Sequence, residues 1–486
     1  MRTEPLLDVL GGWSRQTGPL HLRLSRSLRR AVEAGALGPG TRLPAERRLA
    51  AALSISRSTV VAAYQALRED GLVESRQGSG TWVPGTGPVR SRREDEGRTF
   101  HRNTVLAGRG EAQGDVVEFL GASLSGRGVL TPEILRRAAD DTAALVAASG
   151  YQPLGLLSLR EAIARHMERW GLKTRPDEIL VTNGAQQAIA LTASLFVGKG
   201  DTVALESPTY LTAIDLYNER GAALVALATG SRGVAVEAVR DAVERRGARL
   251  VYLMPTFQNP TGGVLPERAR RELARLSAER NVVIVEDHAH TDLALDAEPP
   301  PPIAAFAKGA PVLTIGSMSK LFWGGLRVGW IRGPEPLIRQ LTRRKAMLDL
   351  GSSLPSQALA ARLFGDADRI VALRRDQLAT GVARLSAELK RHLPTWRYTK
   401  PAGGLTLWVT LPHGSATALV EVALRHGVTF VPGPVASPDD SNRDHLRLTF
   451  VLPPDVIREG VERLARAWAA FAAGPEKRLA AVEVLV

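Results

Sequence analysis

Residues 315–330 read IGSMSKLFWGGLRVGW and hold a single lysine, Lys320, with Ser317 and Ser319 before it and Arg327 seven places after. An ε-amine between apolar walls and near a second cation has its ammonium form destabilised, which makes it a nucleophile toward an aldehyde. The two serines and the arginine supply donors suited to a phosphate on the same ligand. Complementary chemistry recurs upstream. Asn183-Gly184-Ala185-Gln186-Gln187 is a small-residue turn opening a helix pattern, where free backbone N–H groups and the helix dipole favour an anion. Tyr210, after Glu206-Ser207-Pro208, offers a flat face for a heterocycle. Asn259, in Gln258-Asn259-Pro260-Thr261-Gly262, has an amide that can donate to a phenolate oxygen. Asp287 ends an apolar strand pattern, so its carboxylate needs a cationic partner, and a protonated pyridine nitrogen is one. Singly, each has an ordinary structural reading: Asn-Pro and Gly-Gly are common turns, a tyrosine beside proline usually packs, and a strand-end aspartate often caps a helix. In order, they make a complete set of partners for pyridoxal 5′-phosphate.

The elements that must position these residues alternate. Apolar strand patterns at 179–182, 203–206, 250–254, 282–286 and 312–315 are separated by helical patterns such as those from Ala185 and Leu211. Such alternation predicts an α/β domain, a mostly parallel sheet with helices on both faces, whose ligands bind at the carboxyl ends of the strands. Helices from Pro334 onward and the segment 405–470 are expected to form a smaller α+β domain that closes over a ligand.

At 486 residues the chain should hold two or three domains. It has no cysteine, which excludes disulfides, thiolate nucleophiles and cysteine-bearing zinc sites, and no metal site is expected. Apolar runs such as 191–197 are too short to span a bilayer, and no secretory signal is legible, so a cytoplasmic protein without membrane contact is expected. The net charge is +13, and residues 1–93, with fifteen arginines, no lysine and seven acids, carry +8 of it. That concentration points to an acidic partner.

Within this basic part, residues 1–19 show no clear period. Leu24, Leu28, Ala31 and Val32 recur at helical spacing within 20–33, Pro44 starts a second helix, and Ser56 can cap a third over 57–70 with Val60, Tyr64 and Leu67 inward. Residues 72–83 read as a hairpin around Gly78-Ser79-Gly80. Three short helices and a Gly-tipped wing make a winged helix-turn-helix over 20–83, whose third helix would present Arg57, Ser58 and Thr59 to double-stranded DNA. Residues 84–115, rich in Gly, Pro, Arg and Glu, read as a linker; a domain follows over 116–473, then a tail over 474–486.

The stretch PGTRLPAERRLAAALSISRSTVVAAYQALREDGLVESRQGSGTWV resembles the DNA-binding domain of the GntR family of bacterial regulators. That resemblance implies that Arg47, Ser56, Arg57, Ser58 and Thr59 contact operator DNA, and that Gln77 and Gly78 approach the minor groove; Val61 stands where some members carry another arginine. Residues 116–473 look like a fold-type I aminotransferase, and the whole resembles the MocR subgroup. By that likeness Lys320 is the Schiff-base lysine, Asp287 meets the pyridine nitrogen, Asn259 the ring hydroxyl, and Tyr210 stacks. Gly184, Ala185, Gln186, Ser317, Ser319 and Arg327 would hold the phosphate, Tyr151 would reach the phosphate of a neighbouring subunit in a homodimer, and Arg447 would grip a substrate carboxylate. His290 stands where the family has a tyrosine on the ring hydroxyl. The implied function is a transcription regulator that senses pyridoxal phosphate or an amino compound; the alternative is an active aminotransferase with an accessory DNA-binding domain.

Overall fold

The computed structural model describes residues 10, 13, 17–33, 36–38, 40–76, 80–84, 116–147, 149–296 and 298–473. The first helices are α1 (Leu20–Glu33), α2 (Glu46–Ala52) and α3 (Arg57–Glu69), followed by strands β1 (Glu74–Arg76) and β2 (Gly80–Trp82), which pair antiparallel as the wing. The inward stripes are Leu24, Leu28 and Ala31 on α1, Leu49 and Ala50 on α2, and Val60, Ala63, Tyr64 and Leu67 on α3. Leu10 and Trp13, from the stretch that shows no period, are buried in the same core. The second helix begins at Glu46, not Pro44, with extended Ala45 as its cap residue. Ser56 caps α3 by accepting from the Thr59 N–H at 3.2 Å, and the Tyr64 hydroxyl donates to the Pro44 carbonyl at 2.9 Å, which ties α3 to the entry of α2.

The second part runs β3 (Val117–Glu118), α4 (Pro132–Leu145), α5 (Leu157–Arg169), β4 (Ile179–Thr182), α6 (Ala185–Phe196), β5 (Thr202–Ser207), α7 (Leu211–Glu219), β6 (Ala223–Gly230), β7 (Gly233–Val234), α8 (Val236–Glu244) and β8 (Ala248–Leu253). It continues with α9 (Glu267–Arg280), β9 (Val283–Asp287), β10 (Val312–Ser317), α10 (Met318–Leu321) and β11 (Gly329–Arg332). Eight of these strands form one sheet in the order β4-β11-β10-β9-β8-β5-β6-β7. The pairs β10–β9, β9–β8, β8–β5 and β5–β6 are parallel, as the alternation predicts. Strand β11 is antiparallel to both β10 and β4 and had no counterpart in the sequence reading. Its pairing sets Gly316 opposite Trp330, and a Cβ on Gly316 would lie 2.1 Å from the indole, so only glycine fits.

The remaining elements are α11 (Glu335–Asp349), α12 (Leu354–Gly365), α13 (Ala367–His392), β12 (Arg397–Tyr398), β13 (Thr406–Thr410), α14 (Ala416–Arg425), β14 (Val428–Thr429), β15 (Val431–Pro432), β16 (His445–Thr449) and α15 (Pro454–Ala472). Strands β12-β13-β16-β15 form an antiparallel sheet, and β14 pairs parallel with β3. The expectation that all helices after Pro334 join the smaller domain is corrected. Helix α11 packs on α6 and β4, and α12 on α4 and α5, so both belong to the large domain, whereas α13 packs on α15.

Candidate functional site

The carboxyl ends of β9, β8 and β5 place three acidic or phenolic groups in a dry layer. Asp287, the last residue of β9, is buried; the Tyr252 hydroxyl donates to its Oδ2 at 2.8 Å and the Ala289 N–H to its Oδ1 at 2.9 Å. Burial raises its carboxyl above the ordinary value, while these donors, His288 and Lys320 pull it down. Tyr252 was not singled out from sequence, where it is one apolar-run residue among others. Glu206 is also buried, accepts from the Met254 N–H at 2.7 Å, and is pushed up to about 8 by burial. His290 is buried, and its Nδ1 lies 3.0 Å from the Phe257 carbonyl. A carbonyl only accepts, so Nδ1 carries the proton and Nε2 the lone pair. Burial, then the Lys320 charge, drops this imidazole to about 4.

The turn after β4 carries Gly184 at φ +85°, a backbone that glycine adopts without strain, as the cap residue of α6; Ala185 and Gln186 form its first turn. No side chain caps that terminus, so its N–H groups keep the polarity that attracts anions. Arg327 leaves the β10–β11 connection with φ +53° and its Nη2 donates to the Asn183 carbonyl at 3.0 Å, bringing its guanidinium against the same turn. Ser317 caps the short α10 by accepting from the Ser319 N–H at 3.2 Å. Beneath the turn lies a network that sequence reasoning missed. Asp349 Oδ2 accepts from Asn183 Nδ2 at 3.0 Å and Gln187 Nε2 at 2.7 Å, and its Oδ1 accepts from the fully buried Lys345 at 2.8 Å. Asn183 and Gln187 lie 166 and 162 residues from Asp349, so only the fold joins them to it.

Lys320 sits on α10 directly after β10, and its Nζ donates to the Ala122 carbonyl at 2.7 Å. Arg447, on β16 of the small sheet, is buried and reaches across to Asn259 Oδ1 at 3.2 Å and to the Leu120 carbonyl at 2.6 Å. Asn259 is thereby turned so that its Nδ2 hydrogens remain available as donors. Tyr210 is the cap residue of α7, with its phenol raised above the ordinary value by burial. Arg374 on α13, itself buried, donates to the carbonyls of Leu321, Phe322 and Ser125 and so fixes the backbone behind Lys320. Tyr151 is not brought into this cluster; it is 65% exposed.

In the winged helix, Arg47, Arg57 and Ser58 are exposed, and Ser56 and Thr59 stand beside them at the start of α3. Arg57 is held by Glu46 at 3.0 Å. Gln77 and Gly78 lie outside the described residues.

Known proteins resemble this chain in sequence and fold. The profile of the family Aminotransferase class I and II matches residues 121–464, and that of the bacterial regulatory proteins of the gntR family matches residues 20–83. The chain belongs to the aminotransferase class I and II family and carries a GntR-type helix-turn-helix ahead of it, the MocR architecture. The uncharacterized HTH-type transcriptional regulator YdfD of Bacillus subtilis is 30% identical over 89% of this chain and 92% of its own length. The probable rhizopine catabolism regulatory protein MocR of Rhizobium meliloti is 28% identical over 78% of each. Among solved structures, α-aminoadipate aminotransferase LysN of Thermus thermophilus, complexed with N-(5′-phosphopyridoxyl)-L-leucine, superposes with a TM-score of 0.67 at 31% identity, covering 76% of this chain and 97% of LysN. Among the described residues, no helix is long and apolar enough to cross a membrane.

Proposed function

We propose that this chain is a cytoplasmic transcription regulator that binds operator DNA through residues 20–83 and senses pyridoxal phosphate, or an amino compound reacting with it, through residues 116–473. The observation that carries this reading is the convergence of Lys320, Asp287, Asn259, Arg447 and the Gly184 turn on one strand-end surface of a chain that begins with a helix-turn-helix. The residues fit the cofactor: Asp287 is a buried carboxylate whose oxygens accept from two neutral donors, the Tyr252 hydroxyl and the Ala289 N–H, and the α6 terminus beside Arg327 suits an anion. When bound, pyridoxal phosphate supplies an electrophilic aldehyde on an electron-withdrawing ring. Asp287 would hold a proton on the ring nitrogen, and Asn259 would donate from Nδ2 to the ring hydroxyl oxygen. Tyr210 would cover one ring face. Gly184, Ala185, Gln186, Ser317, Ser319 and Arg327 would bind the phosphate. Lys320 would supply the amine nucleophile, and Arg447 would take a carboxylate of the effector in two parallel hydrogen bonds.

The working unit in this reading is a homodimer. Tyr151 is free to reach a second copy, and Val146, Met347, Leu348 and Leu350 are large apolar side chains exposed on the same protomer. DNA contacts fall to Arg47, Ser56, Arg57, Ser58 and Thr59, with Gln77 and Gly78 at the wing tip. A second reading, an active aminotransferase, is favoured by the presence of Lys320, Asp287 and Arg447 together. The test joins operator footprinting on the protein's own promoter region, with and without pyridoxal phosphate, to amino-acid half-reaction spectroscopy. Specific protection that changes with the cofactor supports the regulator; fast conversion to the pyridoxamine form without specific protection rejects it in favour of the enzyme.

A further inference from the structure

Of the three cations assigned to the ligand, Lys320 and Arg447 are both engaged by the backbone of one segment after β3. Lys320 Nζ donates to the Ala122 carbonyl at 2.7 Å, and Arg447 Nη2 to the Leu120 carbonyl at 2.6 Å. The two acceptor carbonyls are separated by a single residue, so one short stretch of backbone meets both cations. The segment is pinned at both ends. On one side the Val117 N–H donates to Gly427 O and the Phe119 N–H to Thr429 O, both at 2.8 Å, with the Phe119 ring fully buried. On the other, Arg374 donates to Ser125 O at 2.8 Å, the same guanidinium that holds the carbonyls of Leu321 and Phe322 just after Lys320. Ser123 between the pins is exposed. The chain that enters this segment at Val116 comes from the winged helix.

We propose that residues 119–125 are a latch that reports occupancy of the site: its Leu120 and Ala122 carbonyls hold Arg447 and Lys320 until ligand takes those cations, and the released segment then moves at the point where the chain arrives from the DNA-binding domain. The proposal rests on the reading of Lys320 as the amine that meets an aldehyde. Condensation forms a C=N bond, releases the carbonyl oxygen as water and leaves at most one hydrogen on nitrogen, so the amine loses donors that could serve Ala122. A carboxylate bound in two hydrogen bonds by Arg447 competes with Leu120 in the same way. The segment has no titratable side chain at 119–125, so it meets Lys320 and Arg447 through backbone carbonyls.

The chain contains no cysteine, so Ser123→Cys places a single thiol on the latch. Its labelling rate with a maleimide fluorophore is read in full-length protein alone, with pyridoxal phosphate, and in the Lys320→Ala and Lys320→Arg backgrounds. Loss of one charged hydrogen bond predicts labelling about tenfold faster with pyridoxal phosphate, and equally fast in Lys320→Ala without it. Lys320→Arg, which keeps a cationic donor, stays slow, and this rescue separates the latch from a general loosening. Equal rates in the ligand-free parent and Lys320→Ala overturn the latch, as does fast labelling in Lys320→Arg. The visible band of lysine-linked pyridoxal phosphate reports separately on the cofactor reading. A band with unchanged labelling sinks the latch alone, and fast Lys320→Ala labelling without any band in the parent sinks the cofactor reading and with it the latch as its reporter, leaving only the Lys320–Ala122 hydrogen bond as a restraint on the segment.

Discussion

Asp287→Asn separates a group built for a ligand from one built for the fold. The side chain is gripped at both oxygens, by Tyr252 Oη at 2.8 Å and the Ala289 N–H at 2.9 Å. Asparagine keeps both contacts, with Oδ1 accepting from Ala289 and Nδ2 donating to the tyrosine oxygen, so geometry is conserved and only the charge goes. Two effects of opposite sign are expected. Burial raises the Asp287 carboxyl, and a raised folded-state value means stability that is present in acid and lost as pH climbs. The ligand-free Asp287→Asn protein should therefore melt higher than the parent at pH 8, with the gain shrinking as pH falls toward the ordinary value of 3.8. Cofactor affinity should move the other way. A hydrogen bond to a charged partner is worth about 1.5–3 kcal/mol, so the Kd for pyridoxal phosphate should rise roughly 10- to 150-fold. Differential scanning fluorimetry at the two pH values and equilibrium dialysis read the two effects. A lower Tm together with an unchanged Kd would refute the reasoning, because Asp287 would then serve packing alone.

Other perturbations probe neighbouring parts. Glu206, pushed up to about 8 from 4.5, is neutral in the fold at pH 7; its contribution is complete below the ordinary value and fades through the raised one. Glu206→Gln should remove a loss of stability on the order of 4 kcal/mol between acid and pH 8, seen as a flatter Tm against pH; an unaltered slope contradicts the assignment. Tyr64→Phe deletes the donor to Pro44 O and should cost the winged helix about 1 kcal/mol in urea unfolding, with no change in cofactor absorbance. Arg57→Ala should weaken specific operator binding by about 1–3 kcal/mol if the guanidinium reads a base; a gel shift with equal affinity would remove it from the interface.

The strand ends and the residues on them were legible because they combine a period with a stop: apolar runs at 179–182 or 312–315 close on turns whose residue types are chemically loaded. The third helix of the winged domain was legible through Ser56, whose capping role needs only local backbone. What escaped notice shares a different cause. Strand β11 follows GGLRV, which reads as loop, and exists because β4 and β10 flank it. Helices α11 and α12 display an apolar face, but a face does not say which domain covers it. Leu10 and Trp13 enter a core without any period of their own. Asp349 supports the Gly184 turn from far along the chain, and the segment around Ala122 acts through carbonyl oxygens that every residue possesses. His290 was visible as a departure, yet its tautomer is fixed by the Phe257 carbonyl, which only folding brings near.

The order β4-β11-β10 has a bearing on cofactor choice. The Gly184 turn, proposed for the phosphate, follows β4 and Lys320, proposed as the reactive amine, follows β10, so the span between them is two interstrand intervals, roughly 10 Å across the hydrogen-bonding direction. That gauge is cut in main-chain amides and does not stretch with side-chain replacement. Vitamers of another length, or lacking the phosphoryl anchor, would meet a mismatch that point mutations around the rim cannot repair, and shifting it would demand re-pairing the sheet itself.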